Sequence, residues 1–91
     1  MIGNMAVSMA GHDKGYAYVI VNEDAEYVYL CDGNLKTMGK PKKKSLKHVA
    51  VNKTYDTRDI GVKLQNGKQV YDHEIKRTIK LYKMHVNNAE V

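Results

Sequence analysis

Between residues 7 and 21 the chain reads Val7-Ser8-Met9-Ala10-Gly11-His12-Asp13-Lys14-Gly15-Tyr16-Ala17-Tyr18-Val19-Ile20-Val21. On both sides of a short polar segment the apolar residues recur at every second position, which is the period of a half-buried β-strand. Two glycines flank the polar segment, and glycine reaches turn conformations that other residues adopt only at a cost. We therefore predict two strands, Ala6 to Met9 and Tyr16 to Val21, joined by a tight loop in which Gly15 has a positive φ.

Three more short strands extend this pattern. Residues 22–25 are polar and turn-prone, so the second strand should fold back into a third over Glu26 to Cys31. Asp32-Gly33 is a strong two-residue hairpin signal and predicts a fourth strand, Asn34 to Met38. Alternation resumes in a fifth strand, His48 to Asn52. Five short antiparallel strands predict a mainly β fold, a small barrel whose closure removes the exposed edges of a flat sheet.

The pattern becomes helical after residue 55. Asp56 and Asp72 are candidate N-caps for two short helices, the first beginning at Thr57 and the second covering His73 to Met84. Short helices need a surface to pack on. We therefore predict a barrel over residues 1–54, a two-helix extension over 55–85 that packs on it, and a disordered tail over 86–91.

A second set of apolar side chains alternates with the first in the second and third strands. It comprises Tyr16, Tyr18, Ile20, Tyr27, Tyr29 and Cys31. One sheet face can fill the barrel, while this tyrosine-rich face lies outside under the helices or binds a partner. Packing is the simpler interpretation, because cross-strand pairs stabilise a sheet without any ligand.

The 91-residue length suits one domain, and we expect a monomer. The sequence has no apolar run near the roughly 20 residues of a membrane helix and no secretory signal at its start, so we predict a cytoplasmic protein without membrane contact. The single cysteine, Cys31, agrees with a reducing compartment. We interpret it as a small strand residue rather than a reactive or metal-bound thiol.

Positive charge is concentrated in one segment of the sequence. Residues 33–55 hold seven lysines and no acid, whereas residues 1–32 hold one lysine against five acids. Charges this dense repel one another unless they are solvated or matched by an anion. The segment 35–48, here the lysine-rich loop, therefore suits a polyanionic partner, although a solvated loop or a nuclear address has the same composition.

Motifs for catalysis and cofactor binding are not found in the sequence. It has no nucleophile-elbow serine, no glycine-rich phosphate loop and no paired metal-ligand spacing, and His12-Asp13 alone is weak support for a catalytic base. We predict that the protein is not an enzyme and has no cofactor, metal or small-molecule substrate.

The run from Val7 to Val21 resembles a KOW motif, the RNA-contacting segment of SH3-like barrels in ribosomal proteins and transcription elongation factors. The order of strands, Asp-Gly hairpin, lysine-rich loop and helices is similar to bacterial KOW-domain RNA-binding proteins, which are related to large-subunit ribosomal proteins of archaea and eukaryotes. This resemblance covers residues 6–53 well and 54–84 more loosely. Gly15 matches the central glycine of the motif, whereas Tyr16 stands where the family often has a basic or small residue.

The resemblance implies an SH3-like barrel that binds structured RNA, in particular ribosomal RNA or a ribosomal particle. Lysines would contact phosphates without reading sequence, while the small residues of the loop let its backbone approach the RNA closely. An alternative is an SH3-like adaptor that binds an acidic or extended peptide. The predicted RNA-binding residues are Gly11, His12, Asp13, Lys14, Gly15, Tyr16, Lys36, Lys40, Lys42, Lys43, Lys44, Lys47 and His48.

Overall fold

The structure, a computed structural model, describes residues 1–89 of the chain, with side chains from 1 to 87. It is a mixed α/β fold in which a five-stranded antiparallel sheet carries two helices. No helix in this described part has the length and apolar character needed to cross a membrane. The elements are β1 Met5–Ser8, β2 Ala17–Glu23, β3 Tyr27–Cys31, β4 Lys42–Ser45, a 3-10 turn Leu46–His48, β5 Val49–Asn52, α1 Asp59–Gln65 and α2 Asp72–Ala89.

The strands are ordered β4-β3-β2-β1-β5, so β4 and β5 form the two edges and the sheet is not closed. These edges are nevertheless joined by only the three residues of the 3-10 turn. Strands lie about 4.8 Å apart, so the edges of a flat five-stranded sheet would be about 19 Å apart. A 3-10 turn rises only about 2 Å per residue. The sheet is therefore strongly curved, and its two edges approach each other.

The two faces of the curved sheet are both buried. The side chains of the inner face pack against one another, and Leu46 of the 3-10 turn and Val49 and Val51 of β5 pack against them. The outer face is covered by α1 and α2. Inner-face core residues are Ala6, Tyr18, Ile20, Val28 and Leu30, and outer-face core residues are Met5, Ala17, Val19 and Cys31, with Ile60, Leu64, Val70, Ile75, Ile79 and Tyr82 contributed from the helical part of the chain.

This arrangement corrects the expectation for the tyrosine-rich face. Tyr18 and Ile20 lie on the inner face, and the helices cover the opposite set of β2 side chains. The register between β2 and β3 shifts between Ile20 and Asn22, so alternation does not continue unbroken along β2. Tyr16 and Tyr27 are exposed rather than covered.

The fourth strand lies inside the lysine-rich loop and not at Asn34 to Met38. The Asp32 carboxylate accepts hydrogen bonds from the backbone N–H groups of Asn34 and Lys36 at 2.9 and 2.8 Å, which folds this segment into a compact turn. Residues 42–45 then pair with β3 as an edge strand. Lysine suits such an edge, because its charge discourages pairing with another chain. The segment 35–48 is therefore a loop only in part.

The first helix begins two residues later than predicted. Thr57 donates a hydrogen bond from its hydroxyl to the Gly3 carbonyl oxygen at 2.7 Å, which ties the segment before the helix to the start of the chain. Asp56 does not cap the helix itself; its carboxylate accepts the backbone N–H of Arg58 at 2.7 Å.

The second helix is longer than predicted, and the side chain of Glu74 caps its first turn. The Glu74 carboxylate accepts the Tyr71 N–H at 2.9 Å, and the Glu74 N–H donates to the Tyr71 carbonyl at 3.0 Å. Asp72 instead accepts the Met38 N–H at 2.7 Å. The helix continues to Ala89, with Val86 packed against the core, and thus extends into the segment 86–91 for which the sequence predicts a disordered tail. Residues 90–91 lie outside the described part.

Candidate functional site

The loop between β1 and β2, residues 9–16, is a tight and internally bonded turn. Gly11 and Gly15 have φ values of 85° and 91°, as the glycine pattern predicts for Gly15. The Gly15 N–H donates to the Ser8 carbonyl at 2.8 Å, and the Ser8 N–H donates to the Tyr16 carbonyl at 2.9 Å. These bonds close the neck of the loop, so its outer residues are presented from a fixed backbone.

Asp13 belongs to this loop, and it is almost fully buried, at 8 % exposure. Its carboxylate accepts hydrogen bonds from the hydroxyls of Ser8 and Tyr18 at 2.8 and 2.9 Å. The ammonium groups of Lys42 and Lys44 each lie 2.8 Å from a carboxylate oxygen. Four donors from β1, β2 and β4 thus converge on one side chain, which we call the Asp13 cluster.

The Asp13 cluster fixes the protonation states of its members. Burial opposes ionisation of the Asp13 carboxyl, but the hydrogen bonds from Lys42, Lys44, Ser8 and Tyr18 together hold its pKa well below the ordinary value. Burial, followed by the bond to this carboxylate, raises the pKa of Tyr18 above its ordinary value. At neutral pH the cluster therefore contains a carboxylate and an un-ionised phenol.

The cluster changes the interpretation of three predicted RNA-binding residues. Lys44 is 10 % exposed in its side chain and also donates to the Ala10 carbonyl at 2.8 Å, so it ties the edge strand to the loop. The side chain of Lys42 is 30 % exposed, and its ammonium group donates a hydrogen bond to the Asp13 carboxylate. Asp13, Lys42 and Lys44 are therefore bracing residues in this structure. The sequence offered no sign of this, because the two lysines share a face only if residues 42–45 form a strand.

The remaining predicted residues lie at the surface around this cluster. The 3-10 turn adjoins the loop, because the Met9 N–H donates to the His48 carbonyl at 2.8 Å. Lys43 has its ammonium 4.3 Å from the centre of the Tyr27 ring, and Lys47 lines a shallow pocket beside the same tyrosine. His12, Lys14, Tyr16, Lys40, Lys43, Lys47 and His48 are exposed, and Lys36 is half-buried. The lysines of the segment 35–48 thus point in several directions and do not form one surface.

A basic groove that was not predicted runs between the loop and α2. Its volume is about 870 Å³. Gly15, Tyr16 and Leu35 line one side, and α2 contributes a row of cations to the other: Lys76, Arg77, Lys80 and Lys83. The spacing of residues 76, 80 and 83 places them on one helix face, which is a signal available in the sequence. What the sequence could not show is that this face meets the loop.

Cys31 is buried between the sheet and the helices. Burial raises the pKa of its thiol to about 12, and its Sγ lies 3.2 Å from the Thr37 carbonyl oxygen as a hydrogen-bond donor. The thiol is therefore protonated and shielded at neutral pH, which fits a packing role.

In the part of the chain that the structure describes, no group of three or more His, Cys, Asp or Glu side chains is placed to bind a metal ion. The chain matches no family model, and no curated protein matches it in sequence.

Proposed function

We propose that this protein is an RNA-binding module of the SH3-like, KOW-containing type that its sequence resembles. The observation that carries the proposal is the braced glycine loop, which presents exposed His12, Lys14 and Tyr16 next to a lysine-rich edge strand. The proposed partner is structured ribosomal RNA or a ribosomal particle, and the corresponding location is the cytoplasm.

An SH3-like barrel is proposed for the fold on the same basis. Four strands follow one another as neighbours, and the fifth returns beside the first after a 3-10 turn. The sheet curves around its own core of inner-face residues. A four-stranded meander with a fifth strand beside the first matches the strand order of a small barrel, and here the sheet stops short of closure.

The loop suits close approach by a sugar-phosphate chain. An added Cβ at Gly15 would meet no atom within 4 Å, so the space outside its backbone is open. Because the Asp13 cluster already fixes the loop, the loop loses little conformational entropy when a ligand binds. A prearranged loop of small residues is an effective way to recognise the shape of irregular RNA.

The charges around the loop favour an anionic partner. Two ammonium groups face one carboxylate in the Asp13 cluster, which leaves one positive charge in excess. Lys14 and Lys47 add exposed charge on the loop and on the adjoining 3-10 turn. Phosphate contacts are therefore assigned to Lys14 and Lys47 before Lys42 and Lys44, whose ammonium groups are already hydrogen-bonded to Asp13.

Substitution of Lys14 and Lys47 tests this function. For Lys14→Gln/Lys47→Gln we expect weaker binding to a structured ribosomal RNA fragment, because each lysine that meets a phosphate contributes about 0.7 to 0.9 to the log–log salt slope. The slope measured by filter binding between about 50 and 200 mM salt should therefore become shallower by about 1.5. Lys43 is left unchanged because its substitution would also remove the contact with Tyr27.

The matched control is Lys53→Gln/Lys68→Gln, which removes the same charge from exposed positions away from the loop. If both double variants change the slope equally, the loop is not the RNA surface. Binding of the wild-type chain to an acidic peptide but not to RNA would instead support the adaptor alternative.

A further inference from the structure

We infer that the groove between the loop and α2 binds unpaired nucleotides of the RNA, with a base stacked on Tyr16 and phosphates held by Lys76, Lys80 and Lys83. This inference rests on the proposed function, and it adds both the site and the class of RNA. Four observations carry it: the charge of the groove, the exposed apolar residues in its lining, its size, and its continuity with the glycine loop.

The charge comes from one row on α2. Residues 76, 80 and 83 fall on a single face of the helix, and the rise of about 1.5 Å per residue spreads them over about 10 Å along its axis. Lys76, Arg77, Lys80 and Lys83 are exposed and make no ion pair among the described residues. Asp32 is the acidic residue in the lining, so positive charge dominates the groove.

Part of the groove lining is apolar and exposed. Tyr16, Leu35 and Met84 are 58, 78 and 52 % exposed, although large apolar side chains gain free energy by burial. Apolar groups beside a row of cations match a ligand that has both flat apolar faces and negative charge. Single-stranded nucleic acid has this combination, because its bases stack on aromatic rings while its phosphates meet lysine and arginine.

A duplex does not match the groove equally well. Its base faces are already stacked on one another, so a duplex offers phosphates to the cations but nothing to Tyr16. The volume of about 870 Å³ also lies within the roughly 300 to 1,000 Å³ range of sites for small ligands, which suits a short unpaired segment.

The groove is continuous with the glycine loop. Gly15 and Tyr16 belong to both, and Gly15 has open space on its outer side. An RNA whose backbone passes over Gly15 therefore enters the groove directly, with an unpaired base next to Tyr16. Tyr16 stands where the family that the sequence resembles often has a basic or small residue, and a lysine or a small side chain there would give a base no flat surface to stack on.

The test uses Tyr16→Trp in the full chain, which otherwise contains no tryptophan. Stacking of a base on the introduced indole should quench its fluorescence. We expect quenching by eight-nucleotide oligo(U) and oligo(A), and much less by a blunt duplex RNA without unpaired bases. Tyr16→Ala should weaken oligonucleotide binding about 5- to 150-fold, which corresponds to the loss of one stacked base, and Tyr16→Phe, which keeps an aromatic ring, should bind more tightly than Tyr16→Ala.

The lysine row is tested by Lys80→Gln/Lys83→Gln against the control Lys53→Gln/Lys68→Gln. For single strands the first variant should lower the salt slope by about 1.4, and the control should leave it unchanged. Suppose that structured RNA binds to Tyr16→Trp without quenching its fluorescence, and that Lys80→Gln/Lys83→Gln has the same salt slope as the control. The groove inference is then wrong while the proposed function stands.

Two other outcomes overturn the inference in different ways. If no RNA binds to the wild-type chain at all, both the proposed function and the groove inference are wrong. If polyglutamate quenches the indole fluorescence of Tyr16→Trp as strongly as oligonucleotides do at equal charge, the groove selects acidic chains in general, and base stacking on residue 16 is excluded.

Discussion

Asp13 is the residue that connects the glycine loop to the edge of the sheet. Its carboxylate bonds to two hydroxyls and two ammonium groups that come from three strands. A buried charge is tolerated only when it is paired and hydrogen-bonded, and removal of one partner leaves the others uncompensated. The loop, β1 and β4 therefore depend on one side chain for their relative positions.

The low pKa of Asp13 leads to a prediction about pH. In the unfolded chain the carboxyl has an ordinary pKa of about 3.9. As pH falls below about 4, the unfolded state takes up a proton before the folded state does, so the stabilisation that is complete at neutral pH is progressively lost. We expect Asp13→Asn to be less stable by about 3 kcal/mol at pH 7 and to lose less further stability on acidification.

Urea denaturation at several values of pH measures this difference. Asp59→Asn is the control, because it removes an exposed carboxylate from the first turn of α1. If Asp13→Asn and the wild type have parallel stability profiles between about pH 2 and 4, Asp13 is not the group whose titration matters.

At the scale of elements, the turn at residues 32–36 supports the start of α2. The Met38 N–H donates to the Asp72 carboxylate, and the backbone of Gly33 lies directly against the helix. A Cβ at Gly33 would lie 2.8 Å from the Lys76 backbone nitrogen and still closer to the Asp72 carbonyl oxygen. The Asp-Gly pair thus serves helix packing, whereas the sequence pattern predicts a hairpin turn here.

Two glycine substitutions separate the cost of a positive φ from the cost of a steric clash with α2. Gly15 and Gly33 both have positive φ, at 91° and 78°. An added Cβ would meet nothing within 4 Å at Gly15, whereas at Gly33 it would clash with the backbone of α2. We expect Gly15→Ala to cost about 1 to 2 kcal/mol for the backbone conformation alone. Gly33→Ala should cost about 1 to 3 kcal/mol more, because the helix must move away. Chemical denaturation of both variants measures the costs, and equal values would contradict the close packing of the turn on α2.

At the scale of the whole molecule, the helices complete a core that the sheet cannot bury alone. Met5, Val19 and Cys31 on the outer face are fully buried, and they pack with Ile75 and Tyr82 of α2. In a chain of this size a single compact core supplies most of the stability. Opening of the helical layer should therefore expose the outer face of the sheet.

The thiol of Cys31 reports on this opening. It is fully buried, so a thiol reagent should label it only when the layer opens. Ile75→Ala should destabilise the protein by about 2 to 4 kcal/mol and speed labelling about 30- to 1,000-fold. Leu81→Ala, on the exposed side of the same helix, should leave the labelling rate nearly unchanged. Rapid labelling of the wild type would show that the helices do not cover Cys31 in solution.

Local sequence patterns were sufficient for most of the elements. The alternating valines, the glycine loop and the spacing of Ile75, Ile79 and Tyr82 depend only on near neighbours, and they placed four of the five strands and both helices close to their observed positions. The fourth strand was misplaced because lysine has a low intrinsic preference for strands, and only its position at the edge beside β3 favours it there.

The sequence by itself determined the tight loop, the concentration of lysines and the positions of most strands and helices, because each follows from neighbouring residues. Only the tertiary structure decided which lysines are matched internally and which helix face meets the loop. Asp13 lies 29 and 31 positions before Lys42 and Lys44, and Tyr16 is 60 or more positions before the α2 lysines. Contacts across such distances depend on how the curved sheet and its helices pack, and no local pattern contains that information.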